Sequence, residues 1–390
     1  MAKIKDIAMQ IRGVSYHPED LHDNLDEDSV VLLRANNIKD GKLILDDVVY
    51  VSKSKVAEQQ YLQTGDILIC ASSGSKELVG KAAFVDSVKN PMTFGAFCKV
   101  VRPQPEYSEY LEHYFNSPVY RRKISALSAG ANINNIKNEH IDNLDIQLVD
   151  EKERREIITI LNKLNMLISL RKQQLFKLDE LVKARFVEMF GSYPENENAY
   201  PVVNVSDIAD AGVGVVIKPA QYYVTEERGI KAFRSLNIGE MYIKDSDWVY
   251  FSTEGNESNK KSQLHENDLL IVRSGAPGTS CVVTKEFEGC NAVDVIIAHP
   301  DLSKVNPWYL CAYINYPHGK KQIEEGTGGA AQQHFNVGKC NNLKVLLPPL
   351  EAQNQFAAFV ERVNQQKQTV QQSLEKLELL KKALMQEYFG

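Results

Sequence analysis

Two short stretches of this 390-residue chain carry residue types suited to phosphate or cofactor chemistry, and neither completes its motif. GSKELVGKA, residues 74–82, sets two glycines and a lysine as a phosphate-cradling loop does. Five residues rather than four separate the glycines, and Ala82 stands where Ser or Thr would hold Mg²⁺. GVG at residues 212–214 lacks the third glycine of a dinucleotide loop and its strand–helix setting. The eight histidines do not cluster at metal-ligand spacing, and Cys70, Cys98, Cys281, Cys290, Cys311 and Cys340 include no C-x-x-C pair. They read as reduced core residues. With no Ser-His-Asp arrangement either, the chain is expected to bind and position rather than to catalyse.

The elements that must do the positioning occur twice. YLEHYFNSPVYRRKI, residues 110–124, and YLCAYINYPHGKKQI, residues 309–323, share Tyr, Leu, Tyr, Asn, Pro and Ile at the same spacings. At a constant shift of 199, residues 110–191 run ungapped alongside residues 309–390, and both copies finish on Phe-Gly. Upstream, KDIA answers SDIA, RANNI answers RSLNI and LQTGDILI answers LHENDLLI, so the chain is a tandem duplication. NPWY at residues 306–309 approaches the Asn-Pro-Pro-Tyr tetrad of adenine methyltransferases, but Trp308 replaces the second proline. SEYL fills the same place in the first copy, and no glycine-rich cofactor loop precedes NPWY.

Each copy closes on a long helical pattern. Apolar residues recur at Ile157, Leu161, Leu164, Ile168, Leu175, Leu178 and Val182, with Arg171 in one polar slot. The second copy repeats the pattern at Phe356, Val360, Val363, Val370, Leu374, Leu377 and Leu380. Alternation of three and four residues is a coiled-coil seam, and a lone helix with such a seam is unstable in water, so the two are expected to pair antiparallel. Before each helix, short β-branched runs such as GDILICASS and DLLIVRSGAPG, closed by Gly, Pro, Asn or Asp, predict a β-rich domain with one or two short helices. The fold class is therefore α+β. Its expected parts are a first domain over residues 1–150, a central helix over 151–191, a linker over 192–200, a second domain over 201–345 and a C-terminal helix over 346–390.

Composition bounds the partners. With 43% hydrophobic and 25% charged residues the chain reads as soluble and globular, and without a membrane-length apolar run it is expected in the cytoplasm. Its formal charge is −6, whereas a chain gripping nucleic acid unaided is usually basic. The charge is uneven: residues 1–150 hold 17 basic and 21 acidic residues, 151–191 hold 9 and 6, and 201–345 hold 14 and 17. Any nucleic-acid contact must be local or shared with a partner.

Two similar heads on pseudo-twofold helices match the logic of DNA readers that use spaced half-sites. Here IRGVSYHPEDL, VLLRANNIKDGKL, SSGSKELVGK and SAGANINNIKNEHIDNLDI, followed by EKERREIITILNKLNMLISLRKQQL, resemble the specificity subunits of Type I restriction-modification systems over essentially the whole chain. The resemblance implies two target-recognition domains, each reading one half of a bipartite, asymmetric site in double-stranded DNA. It implies helices that set the gap and dock two methyltransferase (M) subunits, with restriction (R) subunits joining. S-adenosylmethionine, ATP and Mg²⁺ would belong to those partners, and no cofactor or metal to this chain. The second copy departs from the pattern where AGVGVVIKP replaces MQIRGVSYHP and where Gln332-Gln333-His334 replaces Ile133-Asn134-Asn135.

Base edges suit Arg, Asn, Gln, Lys and Ser, and phosphates suit Lys, Arg and loop N–H groups. The loop-borne candidates are Arg34, Asn36, Asn37, Ser73, Lys76, Lys81, Arg121, Arg122 and Lys123 in the first copy. The second offers Arg234, Asn237, Arg273, Ser274, Lys320, Lys321, Gln332 and Gln333. Gly130-Ala131 and Gly329-Ala330 either approach a phosphate or only make a turn. Tyr110, Tyr114, Tyr309 and Tyr313 read as packing of a short helix on its sheet before stacking on an extruded base. The competing class is a coiled-coil scaffold that holds two protein partners apart, which a flat salt dependence of DNA binding would favour. A fused methyltransferase-endonuclease lacks its motifs.

Overall fold

The computed structural model describes every residue except 76, 130–134, 192–194 and 328–333. Two compact units emerge, one formed by Met1–Lys172 with Gln372–Gly390 and the other by Gln173–Gln371. Each contains a β-rich head and a stretch of each long helix, so the architecture is α+β with antiparallel helix pairing inside both units.

The helices are α1 (Ser108–Phe115), α2 (Pro118–Ala129), α3 (Asn138–Asp142), α4 (Glu151–Phe190), α5 (Thr253–Ser258), α6 (Pro307–Asn315), α7 (Pro317–Thr327), α8 (Val337–Asn341) and α9 (Leu350–Phe389). α4 starts where Asp150 accepts the Glu153 N–H at 2.9 Å, and Glu151 and Glu153 complement the positive end of the helix dipole. It ends at Gly191, whose φ of +74° lets its N–H close back on the Val187 carbonyl at 2.8 Å. Pro348-Pro349 precedes α9, where fully buried Gln353 donates to the Pro348 carbonyl at 2.8 Å.

In the first unit a six-stranded sheet runs Ala8–Arg12, Cys98–Pro103, Ile67–Cys70, Ala82–Phe84, Lys42–Leu43, Ile38–Lys39. A four-stranded sheet runs Met92–Phe94, Ser29–Leu33, Val49–Ser52, Leu21–His22. Ile67–Cys70 is buried at every residue, which is why ILIC reads as an unbroken apolar run. The second unit repeats the plan with Ala209–Val213, Val295–Pro300, Leu269–Val272, Ser280–Val282, and with Tyr223–Val224, Val249–Phe251, Ile230–Phe233, Asn291–Ala292. A parallel pair recurs in both, Met92–Phe94 with Ser29–Leu33 and Asn291–Ala292 with Ile230–Phe233, and the first unit adds Lys42–Leu43 with Ala82–Phe84.

The helical seam is part of each core. Ile157, Leu161 and Leu164 pack with Met385, Phe389, Tyr110 and Tyr114 in the first unit. Leu178, Val182 and Phe186 pack with Phe356, Val360, Val363, Val370 and Tyr309 in the second. Leu374 is buried, while Ile168, Leu175 and Leu377 are half-buried. Leu380 departs from the expected seam: it is 47% exposed, and the buried stripe continues through Leu384 and Met385. Two successive three-residue steps from Leu374 fall short of the helical period of 3.6, so the second of them turns Leu380 away from the buried stripe. The repeated tyrosines are packing residues. Tyr110 donates to the Gln147 carbonyl at 2.9 Å and Tyr309 to the Leu346 carbonyl at 2.5 Å, the same bond at the same shift of 199. Among the described residues, no helix is long and apolar enough to cross a membrane.

Candidate nucleic-acid interface

In each head one tight turn starts from an arginine. The Arg34 N–H donates to Asn37 Oδ1 at 2.8 Å, and Asn37 Nδ2 donates to the carbonyls of Ile44 and Asp47 at 2.8 and 2.9 Å. The second head repeats the device: the Arg234 N–H donates to Asn237 Oδ1 at 2.9 Å, and Asn237 Nδ2 to the Ser246 carbonyl at 2.7 Å. Asn37 and Asn237 are 1% and 0% exposed. Both are framework residues rather than base readers, because their amides are spent on backbone groups that burial would otherwise leave unsatisfied.

What these turns present differs. Arg34 Nη2 reaches Asp47 at 3.0 Å and exposed Asn36 donates to the same carboxylate at 2.6 Å. In the second head Leu236, 63% exposed, stands at the place of Asn36, and Arg234 donates to the Asp247 carbonyl. Asp47 thereby holds two recognition-type side chains together in the first head.

A ladder of backbone bonds carries this turn to two others. The Leu33 carbonyl receives the Gly95 N–H at 2.9 Å, and the Cys98 N–H closes on the Gly95 carbonyl at 2.8 Å. The Phe97 carbonyl receives the N–H groups of Ala71 and Ser72 at 2.9 and 3.0 Å, and the Ala71 carbonyl receives Ile136 N–H at 2.7 Å. The Arg34 turn, residues 95–98 and the loop bearing Ser73 thus meet along one rim of the head. In the second head the Phe233 carbonyl takes the Val293 N–H at 2.8 Å and the Arg273 carbonyl takes Phe335 N–H at 2.9 Å. Arg273 pairs with Asp294, and Ser274 Oγ lies 2.9 Å from His334 Nδ1.

The basic run after α1 is committed elsewhere. Arg121 donates to the carbonyls of Val79 and Glu77 at 2.6 and 2.9 Å, which buttresses the 77–79 segment. Arg122 reaches Gln386 on α9, and Lys123 donates to the Asp145 carbonyl at 2.9 Å. The three neighbouring side chains thus reach three different partners, since sequence adjacency on a helix does not put side chains on one face. Lys320 pairs with Glu240, while Lys81 and Lys321 are exposed. Ser73 is half-buried and accepts the Ser75 N–H at 3.2 Å. Lys76, Gln332, Gln333, Gly130, Ala131, Gly329 and Ala330 lie outside the described residues.

The first unit also holds a concavity of about 1550 Å³ lined by α1, α4 and α9, and none of the DNA-contact candidates lines it. Burial lifts the Glu112 carboxyl there to about 7, with Asp86 and Glu109 adding repulsion. Burial pushes the His113 imidazole down to about 4, with Lys381 adding to it. Among the described residues, no group of His, Cys, Asp and Glu is arranged to hold a metal ion.

Sequence reasoning passed over Phe97, Asp47, Leu236 and Asp294. For Phe97 a signal existed: FGAF puts two phenylalanines around Gly-Ala, and a tight turn there makes one of them point out of the sheet.

Comparison with known proteins gives a consistent picture. The model of the Type I restriction modification DNA specificity domain matches residues 3–180 and again 174–379. The chain is 28% identical over 377 residues to the Type I restriction enzyme StySPI specificity subunit of Salmonella potsdam, covering 93% of this chain and 81% of that one. It is 28% identical over 384 residues to the EcoKI specificity subunit of Escherichia coli K12, with the same coverage. Among solved structures, a chain from work on assembly and conformational transition of the type I R-M system aligns with a TM-score of 0.59 at 16% identity, covering 99% of this chain and 96% of that one. The Type I restriction-modification S subunit from M. genitalium aligns with a TM-score of 0.56 at 13% identity, covering 100% and 95%. At these identities the structures establish a shared fold.

Proposed function

Because this chain belongs to the Type I restriction modification DNA specificity family, we propose that its two heads read the two unlike halves of one bipartite DNA site for a restriction-modification complex. The observation that carries this reading is one framework built twice with different side chains at its rim. Arg34 with Asn36 and Asp47 answers Arg234 with Leu236, and Phe97 beside Ala71 answers Asp294 beside Arg273. A framework kept constant under unlike recognition groups suits two related half-sites of different sequence. A scaffold for two proteins gives no reason for arginine and amide groups to cluster on loops.

In this mechanism side chains at each rim enter a groove, each good bidentate pair contributing about 1–3 kcal/mol of discrimination. The long helices set the gap and dock two methyltransferase subunits, to which restriction subunits add. The partners bring S-adenosylmethionine, ATP and Mg²⁺ and perform the chemistry, while this chain selects the sequence. They also supply the positive charge that a chain of net charge −6 lacks, so full DNA affinity belongs to the assembled complex in the cytoplasm.

The test is to co-express the chain with the methyltransferase subunit encoded beside it and to map modified adenines across the host DNA. One split motif that disappears without this chain is expected. A stable complex of the two proteins that adds no modification would favour the scaffold reading.

A further inference from the structure

Phe97 is the most exposed large apolar residue of the first head's described rim, ahead of Leu45 and Leu78. It is 70% exposed, whereas Phe94, three residues earlier, is fully buried. Isolated exposed apolar side chains are common on protein surfaces, so exposure alone says little. What sets Phe97 apart is its anchoring. The turn is closed by the Cys98 N–H on the Gly95 carbonyl at 2.8 Å, and the Phe97 carbonyl is held by two N–H groups from the Ser73 loop at 2.9 and 3.0 Å. The ring is thus held out from a fixed backbone, next to the turn that presents Arg34 and Asn36.

The second head has a different answer at this place. Leu33 and Phe233 accept from Gly95 and Val293 respectively, and Cys98 and Val295 open equivalent strands. Between these landmarks the first head has Ala96-Phe97 and the second only Asp294, with φ +51°, its carboxylate paired with Arg273. The Ala71 position, whose N–H holds Phe97, is the one Arg273 occupies. One framework therefore offers a hydrocarbon ring in one head and an ion pair in the other.

Resting on the proposed function, we infer that Phe97 is a specificity-determining residue that makes an apolar contact with a thymine methyl group in the half-site of the first head. A phenyl ring has no hydrogen-bond donor or acceptor to offer a base edge. The one apolar group that bases present in the major groove is the thymine C5-methyl. At the matching place the second head has Asp294, paired with Arg273, and no ring to make such a contact.

The experiment uses the chain co-expressed with its methyltransferase subunit, as wild type, Phe97→Ala and Phe97→Leu, with modified adenines mapped in each. Phe97→Ala is expected to lower discrimination at a single A·T pair of one half-site by roughly tenfold, the weight of one apolar group. The other half-site stays unchanged, and Phe97→Leu keeps the preference. On synthetic duplexes with uracil replacing that thymine, wild type should lose the same factor and Phe97→Ala should be indifferent. An unchanged motif in Phe97→Ala, relaxation at a G·C pair, or uniform loss at every site with the motif intact would each overturn the inference while leaving the proposed function standing. Absence of a split motif with the wild-type chain would instead sink the proposed function, and this inference with it.

Discussion

Arg102 and Asp66 form a two-pronged ion pair: Arg102 Nε and Nη2 each lie 2.7 Å from one of the two carboxylate oxygens. Asp66 is 1% exposed and also accepts the Gln63 N–H at 2.8 Å. In the second copy Asp268 takes the place of Asp66 and His299 that of Arg102, with His299 Nδ1 2.6 Å from the carboxylate. The duplication has kept the buried acid and exchanged its partner.

Arg102→Ala should therefore cost the first head about 3–5 kcal/mol, because the carboxylate stays buried without its cation. Removing both members with Asp66→Asn and Arg102→Met should cost less than Arg102→Ala alone. Chemical denaturation followed by hydrogen exchange of the strand Cys98–Pro103 checks the order; equal losses would mean that the pair contributes little.

The exchange gives the second head its own pH dependence. The hydrogen bond to Asp268 raises the His299 pKa above its ordinary value, burial opposes it, and the charges of Asp268 and Asp210 add to the rise. Protonated His299 binds its proton more tightly in the folded state. The resulting stabilisation is complete below the ordinary imidazole value of about 6.5 and is lost as pH rises through the higher folded value. Hydrogen exchange in Val295–Pro300 should accelerate across that window in the wild type. In His299→Arg the part of this acceleration that exceeds the intrinsic, base-catalysed rise of amide exchange should vanish, since a guanidinium does not titrate there.

Asn37→Ala and Asn237→Ala should each destabilise their own head by about 1–3 kcal/mol, the penalty for buried groups left without partners. Methylation mapping at permissive temperature should return the wild-type motif in both. A changed half-site base would restore these residues to the reading set.

Asn36→Ala removes an exposed donor and should relax one base position in the first head's half-site, with thermal stability unchanged within about 0.5 kcal/mol. Lys81→Ala should weaken binding of the assembled complex evenly across sequences and lower the slope of log affinity against log salt by about 1. If Lys81→Ala altered base preference instead, the division between phosphate and base contacts would fail.

Phe186→Ala, at a fully buried ring packed against Tyr309 and Phe356, should cost the second unit about 3–5 kcal/mol. Leu380→Ala at the exposed position should be nearly silent. Paired thermal melts distinguish the two.

The sequence by itself determined the duplication, the two long helices and the kind of residue that fills their seam. Those signals are local or periodic: a shift of 199, steps of three and four residues, and breakers at Pro348, Pro349 and Gly191. RANNI and RSLNI also marked the arginine turn correctly as a repeated feature, but not what each residue does in it. Tertiary structure decided that, because the role of Asn37 depends on the carbonyls of Ile44 and Asp47, which arrive only when a hairpin folds over it. The same holds for Arg122, drawn to Gln386 from 264 residues away, and for Phe97, left in water by a turn whose anchor is a separate loop. Residue type fixes what a side chain can bond to, whereas contacts between distant parts of the chain determine whether that capacity is spent inside the protein or offered outward.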